Sequence, residues 1–178
     1  MIKIEITDSG VIDSFNRLIA MGEDMSGPLA AIGEVLLTLT KQRFEQSNDP
    51  YGVPWKENSD TTLRALLHGS GKNFKKKGSL SKRGEAVLSG KKPLIGASKS
   101  LSTQFASQVF GGNTVTLTSL MPYAAMQNFG GTKAEFPHLW GDIPARAFFP
   151  DEARGLPDDY NREISDVLRA ALQNAING

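Results

Sequence analysis

The run from Pro28 to Glu45 constrains this chain more than any other feature. Leu29, Ile32, Leu36, Leu39 and Phe44 return to one face of a 3.6-residue helix, while Glu34, Lys41, Gln42 and Glu45 fall on the other. Pro28 suits the first helical position, where its missing N–H would have no intrahelical partner. A single helix gains too little to persist in water, so this one must bury its stripe and the rest of the chain must supply the cover. Candidate covers stand on both sides. Pro157-Asp158-Asp159 opens a final helix whose stripe is Tyr160, Ile164, Val167, Leu168, Ala171 and Ala175. Gln104 to Phe110 and Thr114 to Leu120 are β-prone runs separated by Gly111-Gly112-Asn113, a hairpin signal. Upstream, Ile2, Ile4 and Ile6 alternate with polar residues as in a half-buried strand. Asp8 or Ser9 then caps a helix carrying Ile12, Phe15, Leu18 and Ile19, which ends at Gly22.

Between the two long helices lie shorter pieces. Asp49-Pro50-Tyr51-Gly52 has the residues a type I turn prefers, and Val53-Pro54-Trp55 is a stiff segment able to lay an indole on the core. Ser59 or Asp60 caps a short helix with Leu63, Leu66 and Leu67, broken at Gly69-Ser70-Gly71. A helical stretch is expected from Pro93 through Leu101, and another from Tyr123 to Phe129, opened by Pro122 and closed by Gly130. Gly131 to Pro150 reads as loop and holds Trp140 and the Phe148-Phe149 pair. The expected fold class is α+β: a small, mostly antiparallel sheet packed by a long N-terminal helix and a C-terminal helix. Residues 1–178 are expected to form one domain.

The composition removes several chemistries. The 178 residues contain no cysteine, which excludes disulfides, a thiol nucleophile and thiolate metal sites, and the two histidines, His68 and His138, are 70 positions apart. Gly69-Ser70-Gly71-Lys72 imitates the end of a phosphate loop, but Leu66 stands where that motif needs glycine and Asn73 where it needs serine or threonine. His138 lies near Glu135 and Asp142, a conceivable acid–base pair without an accompanying nucleophile. No enzyme motif, cofactor or metal set is found. No apolar stretch approaches the roughly 20 residues of a membrane span, and residence in the cytoplasm is the default expectation.

Residues 72–92 differ from everything around them. Lys72, Lys75, Lys76, Lys77, Lys82, Arg83, Lys91 and Lys92 face one acid, Glu85, giving +7 in a chain whose total is +1. With Gly78, Gly84, Gly90 and several serines, this segment reads as a flexible, exposed, basic loop insertion. Lys72, Lys75, Lys76, Lys77, Lys82 and Arg83 are its candidate contacts to DNA or an acidic partner. Phe74 is its single aromatic, so base stacking has little support. Trp55, Phe136, Trp140, Phe148 and Phe149 all fall in loop-like segments; they either cap the sheet or anchor a partner.

Three motifs in order carry a resemblance: Phe44 with Asp49-Pro50-Tyr51-Gly52-Val53-Pro54-Trp55, then Pro122-Tyr123-Ala124, Gln127 and Phe129-Gly130-Gly131, then Ile143-Pro144-Ala145-Arg146-Ala147-Phe148-Phe149. Followed by a C-terminal helix, they resemble the phage virion morphogenesis family, with its tail completion proteins of P2-like and Mu-like phages, and are similar to neck proteins of long-tailed phages. Gly96-Ala97-Ser98-Lys99-Ser100-Leu101 and Ala147-Phe148-Phe149 depart from the family's Gly-x-Leu and Pro-Phe-Leu patterns. The resemblance implies a non-enzymatic structural protein of the virion neck that completes the tail and joins it to the DNA-filled head. It implies a self-assembled ring of six copies, with head-side connector or adaptor proteins, tail tube or terminator proteins and DNA in the channel as partners. Assembly would take place in the host cytoplasm. The rival readings are a tail terminator and a DNA-binding accessory protein. Asp49, Pro50 and Gly52 are read as a structural turn. Trp55, Tyr123, Gln127, Trp140, Arg146, Phe148 and Phe149 are candidates for subunit or partner contacts, with Asp151 or Glu152 as a structural alternative partner for Arg146.

Overall fold

The computed structural model describes residues 9–177. Among them are seven α-helices and one two-stranded antiparallel sheet: α1 Ser9–Glu23, α2 Ser26–Gln46, α3 Asp60–His68, α4 Lys82–Ser89, α5 Ser100–Thr103, β1 Phe105–Phe110, β2 Thr114–Ser119, α6 Ala124–Phe129 and α7 Asp158–Asn177. The fold is α+β, as the sequence implies. The expected strand at Ile2–Ile6 lies outside the described residues.

The chain gathers into two compact units. The first takes the described residues of Met1–Leu39, Phe105–Thr118 and Glu152–Gly178, and the second takes Thr40–Gln104 and Ser119–Asp151. Helix α2 supplies its first part to one and its last turns to the other.

In the first unit the amphipathic stripes meet as their spacing requires. Ile32, Leu36 and Leu39 of α2 and Tyr160 of α7 are buried together, and Val115, Leu117, Ile164, Val167 and Leu168 pack against them. Val115 and Leu117 are two apart on β2, so one face of the hairpin turns to this core. Each fully buried member, Ile32, Leu36, Leu39 and Tyr160, contributes about 1.5–3 kcal/mol of burial, and the partly buried ones less. Helix α2 starts two residues earlier than Pro28 because Asp24 accepts the Ser26 N–H at 2.8 Å; hydrogen bonding from the Ser26 side chain first, and from this N–H second, holds the Asp24 carboxyl below its ordinary value. Arg17 of α1 donates to the Ala175 and Ile176 carbonyls at 2.7 and 3.0 Å, placing a cation on the negative end of α7.

The second unit is built largely from loops. Helix α3 is capped by Ser59 and stopped at Gly69, as expected. Two segments differ from the sequence reading. Pro93 to Ser98 is not helical, and only α5 remains of that stretch. Leu94 and Lys99 take positive φ of 60° and 54°, and the Ser98 hydroxyl accepts from Ser100 N–H, a local bond that competes with a continuous helix. Nor is the basic segment one open loop: it holds a 3₁₀ turn at Gly71–Asn73, an antiparallel bridge between Phe74 and Leu80, and α4.

Candidate functional site

All three family-like motifs lie in the second unit, and the structure stitches them together. The first is closed by its own residues. The Asp49 carboxylate accepts from Tyr51 N–H and Val53 N–H, both at 2.8 Å, Gly52 N–H donates to the Asp49 carbonyl, and Asn48 bridges Pro54. The chain turns here as expected, closed by Asp49 and Gly52, and Pro50 is buried behind it. The chain leaving the turn carries Trp55 inward. Its ring stands edge-on to Phe44 at 5.2 Å, and Nε1–H donates to the Ala147 carbonyl at 2.8 Å.

That carbonyl belongs to the third motif. Phe148 has no exposed surface; its ring lies 5.3 Å from Phe44 and 5.1 Å from Phe149, which is half-buried. Arg146 is buried too. Its Nε–H donates to the Lys56 carbonyl at 2.7 Å and its Nη2–H to the Glu57 carbonyl at 2.9 Å, so two carbonyls take the place of the expected acidic partner. Burial lowers the guanidinium's pKa from its usual value, and the nearby Glu57 charge opposes that shift. Tyr51 accepts from Asp151 N–H and donates to the Asp151 carbonyl, pinning the end of the third motif to the first.

The second motif binds the other two through a residue the sequence reading passed over. Asn128, buried in α6, accepts through Oδ1 from the N–H groups of Phe148 and Phe149 at 2.9 and 3.1 Å. The signal was slight: an asparagine inside the last turn of a six-residue helix is a poor helix former and invites another explanation. Gln127 contributes its carbonyl to Arg146 N–H. Gly130 then leaves α6 at φ 75°, and a Cβ there would stand 2.6 Å from Ala145 N and 2.8 Å from the Ile143 carbonyl, so only glycine fits. Beside it, Gly131 and Ile143 exchange both backbone hydrogen bonds.

This arrangement divides the predicted contact residues. Trp55, Arg146 and Phe148 spend their contacts inside the unit, and Phe149 is half-buried against Phe148. Trp140 is fully exposed, Tyr123 is exposed, and Phe129, whose family-like position carried no assigned role, is 76% exposed. Phe129 and Phe136 line one cleft of about 580 Å³ with Thr132, Glu135 and Pro144. A neighbouring cleft of about 420 Å³ takes Gln127, Arg146 and Lys56 to Ser59 in its wall. Lys72, Lys75, Lys76, Lys77, Lys82 and Arg83 are exposed.

The two acids flanking His138 in sequence accept hydrogen bonds from Thr132 and Lys133. Glu135 accepts from Thr132 Oγ1–H and N–H, bonds that hold its carboxyl below the ordinary range, and Asp142 accepts from Lys133 N–H. His138 sits instead near the Phe136 ring, at 6.2 Å. Gly69-Ser70-Gly71-Lys72 follows a helix rather than the strand a phosphate loop requires. Among the described residues no cluster of three or more histidine, aspartate or glutamate side chains could hold a metal, and no helix is long and apolar enough to cross a membrane.

The sequence model of the phage virion morphogenesis family matches residues 6–173, nearly the whole chain. The chain belongs to that family. Its members build phage virions, and this protein has a structural or assembly role in a virion. No curated protein and no solved structure matches it.

Proposed function

We propose that this member of the phage virion morphogenesis family is a non-enzymatic neck component, completing the tail and joining it to the DNA-filled head. The observation that carries the reading is the division of aromatic residues in the second unit. Trp55, Phe44 and Phe148 form its interior, while Trp140, Phe129 and Tyr123 stand in solvent, where large apolar side chains serve as anchors for a partner. Those anchors suit contacts to further copies and to the proteins of the head connector and the tail end. Self-association closes into a ring of six, matching a six-fold tail, because a head-to-tail contact that fails to close gives an open filament. The protein then resides at the neck, or head-proximal tail end, of the virion.

Electron microscopy of lysates from a phage with a stop codon in this gene tests the reading. Filled heads beside separate tails of normal length are expected. Overlong tails would assign the protein to tail termination instead, and intact virions would overturn a neck role.

A further inference from the structure

We infer that the segment from His68 to Ser89 is a preformed cationic face for the phosphate backbone of double-stranded DNA. This does not depend on the neck reading. Of the eight cations between residues 72 and 92, two are used internally: Lys91 donates to the Ile95 carbonyl and Lys92 to the Glu45 carbonyl. The other six, Lys72, Lys75, Lys76, Lys77, Lys82 and Arg83, are exposed and enter no ion pair among the described residues.

The local fold gathers these six. Lys75 N–H donates to the Ser79 carbonyl and Gly78 N–H to the Lys75 carbonyl, so Lys75, Lys76 and Lys77 occupy the tip of a small hairpin closed by the Phe74–Leu80 bridge. At its base Ser81 Oγ–H donates to the Lys72 carbonyl at 2.9 Å, and Ser81 N–H to the Asn73 carbonyl, also at 2.9 Å. Those bonds bring Lys72 beside Lys82 and Arg83. Asn73, buried, donates to the Leu67 carbonyl and ties the base to α3. Helix α4 rests on it at Gly84, where a Cβ would stand 2.3 Å from the Asn73 carbonyl oxygen. The face is thus held in shape before any ligand arrives.

Two features point to phosphate. Lys82 and Arg83 share the first turn of α4 with Glu85, the segment's single acid, and outnumber it at a helix end that disfavours cations; an anion there relieves the excess positive charge. The exposed surface of the face is mostly lysine, arginine, glycine and serine, with Glu85, Ala86 and His68 beside them; no large apolar side chain stands out from it, because Phe74 is half-buried against His68 at 5.3 Å. A protein partner would meet an apolar core at the interface, and a single strand would meet a stacking ring. A duplex backbone needs neither, only spaced positive charge.

Fluorescence anisotropy of a labelled 30-base-pair duplex with the full chain, from 50 to 200 mM salt, tests this. If all six cations engage, log K falls with log salt at a slope of about −5, roughly a thousandfold over that range, with equal affinity for two unrelated sequences. The variant Lys75→Gln, Lys76→Gln, Lys77→Gln reduces the slope to about −3 with an unchanged melting temperature. The exposed pair Lys99→Gln, Lys133→Gln, outside the face, leaves the slope as it was. Absence of binding at 50 mM salt, or a slope indifferent to the triple substitution, overturns the inference. So does tighter binding of poly-glutamate or of a single strand than of the duplex at matched salt.

Discussion

The two units of this protein are held together by different means. In the first, helices α2 and α7 and one face of the hairpin close over Ile32, Leu36, Leu39 and Tyr160, and apolar burial does most of the work. In the second, short helices and loops surround a small aromatic centre of Phe44, Trp55 and Phe148, and the loops are fixed by side chains that bond backbone groups far away in sequence. Trp55 reaches Ala147, Arg146 reaches Lys56 and Glu57, and Asn128 reaches Phe148 and Phe149. A periodic core tolerates many apolar substitutions of similar volume, whereas a stitched loop core depends on individual atoms. The unit with the family-like motifs is the stitched one, and that explains why those motifs are short, irregular and rich in glycine and proline.

Perturbation of each unit separately breaks or sharpens this contrast. Both tryptophans, Trp55 and Trp140, belong to the second unit, so their fluorescence reports on it while far-ultraviolet circular dichroism weighs the long helices of the first. Phe148→Ala empties a fully buried site and is expected to cost about 3–5 kcal/mol in urea denaturation, with the fluorescence transition moving first. Leu36→Ala, its counterpart in the first unit, costs about 2–5 kcal/mol, with the dichroism transition moving at least as far. If both variants shift the two signals identically, the units unfold as one and the contrast is only local.

Smaller effects follow. Asn128→Ala removes an acceptor shared by two N–H groups and is expected to cost about 1–3 kcal/mol, although it deletes almost no apolar surface. Arg17→Ala, in the first unit, removes a half-buried cap from the end of α7 and costs about 1 kcal/mol or less by the same measurement. The smallest is a pH effect in the second unit. Because Thr132 bonds depress the Glu135 carboxyl, its contribution is present above the unfolded carboxyl range and is lost as pH falls through the lower folded value. Protection of the Thr132 amide in hydrogen exchange should therefore weaken in acid, and Glu135→Gln should remove that dependence.

The contrast also accounts for what could be read from the residues alone. The stripes of α2 and α7 and the alternation of the hairpin are periodic, and Ile164, Val167, Leu168, Ala171 and Ala175 sit on the inner side of α7 as their spacing demands. Stitching has no period. Trp55 and Phe148 read as possible outward anchors because loops usually lie at the surface, yet their contacts are set by distant carbonyls and by Asn128. Helix α4 was hidden by the composition around it: lysines, glycines and serines dominate, while its own signal, Ser81 as cap followed by Ala86-Val87-Leu88, is brief.

The central claim is that the motif residues build the second unit from within and leave Trp140 and Phe129 outside for assembly. Complementation of the stop-codon phage by plasmid-borne variants tests it most directly. Trp140→Ala combined with Phe129→Ala should fold with a melting temperature near that of the parent, since neither side chain is buried, and yet give far fewer joined virions and plaques. Full complementation by that folded double variant would contradict the claim.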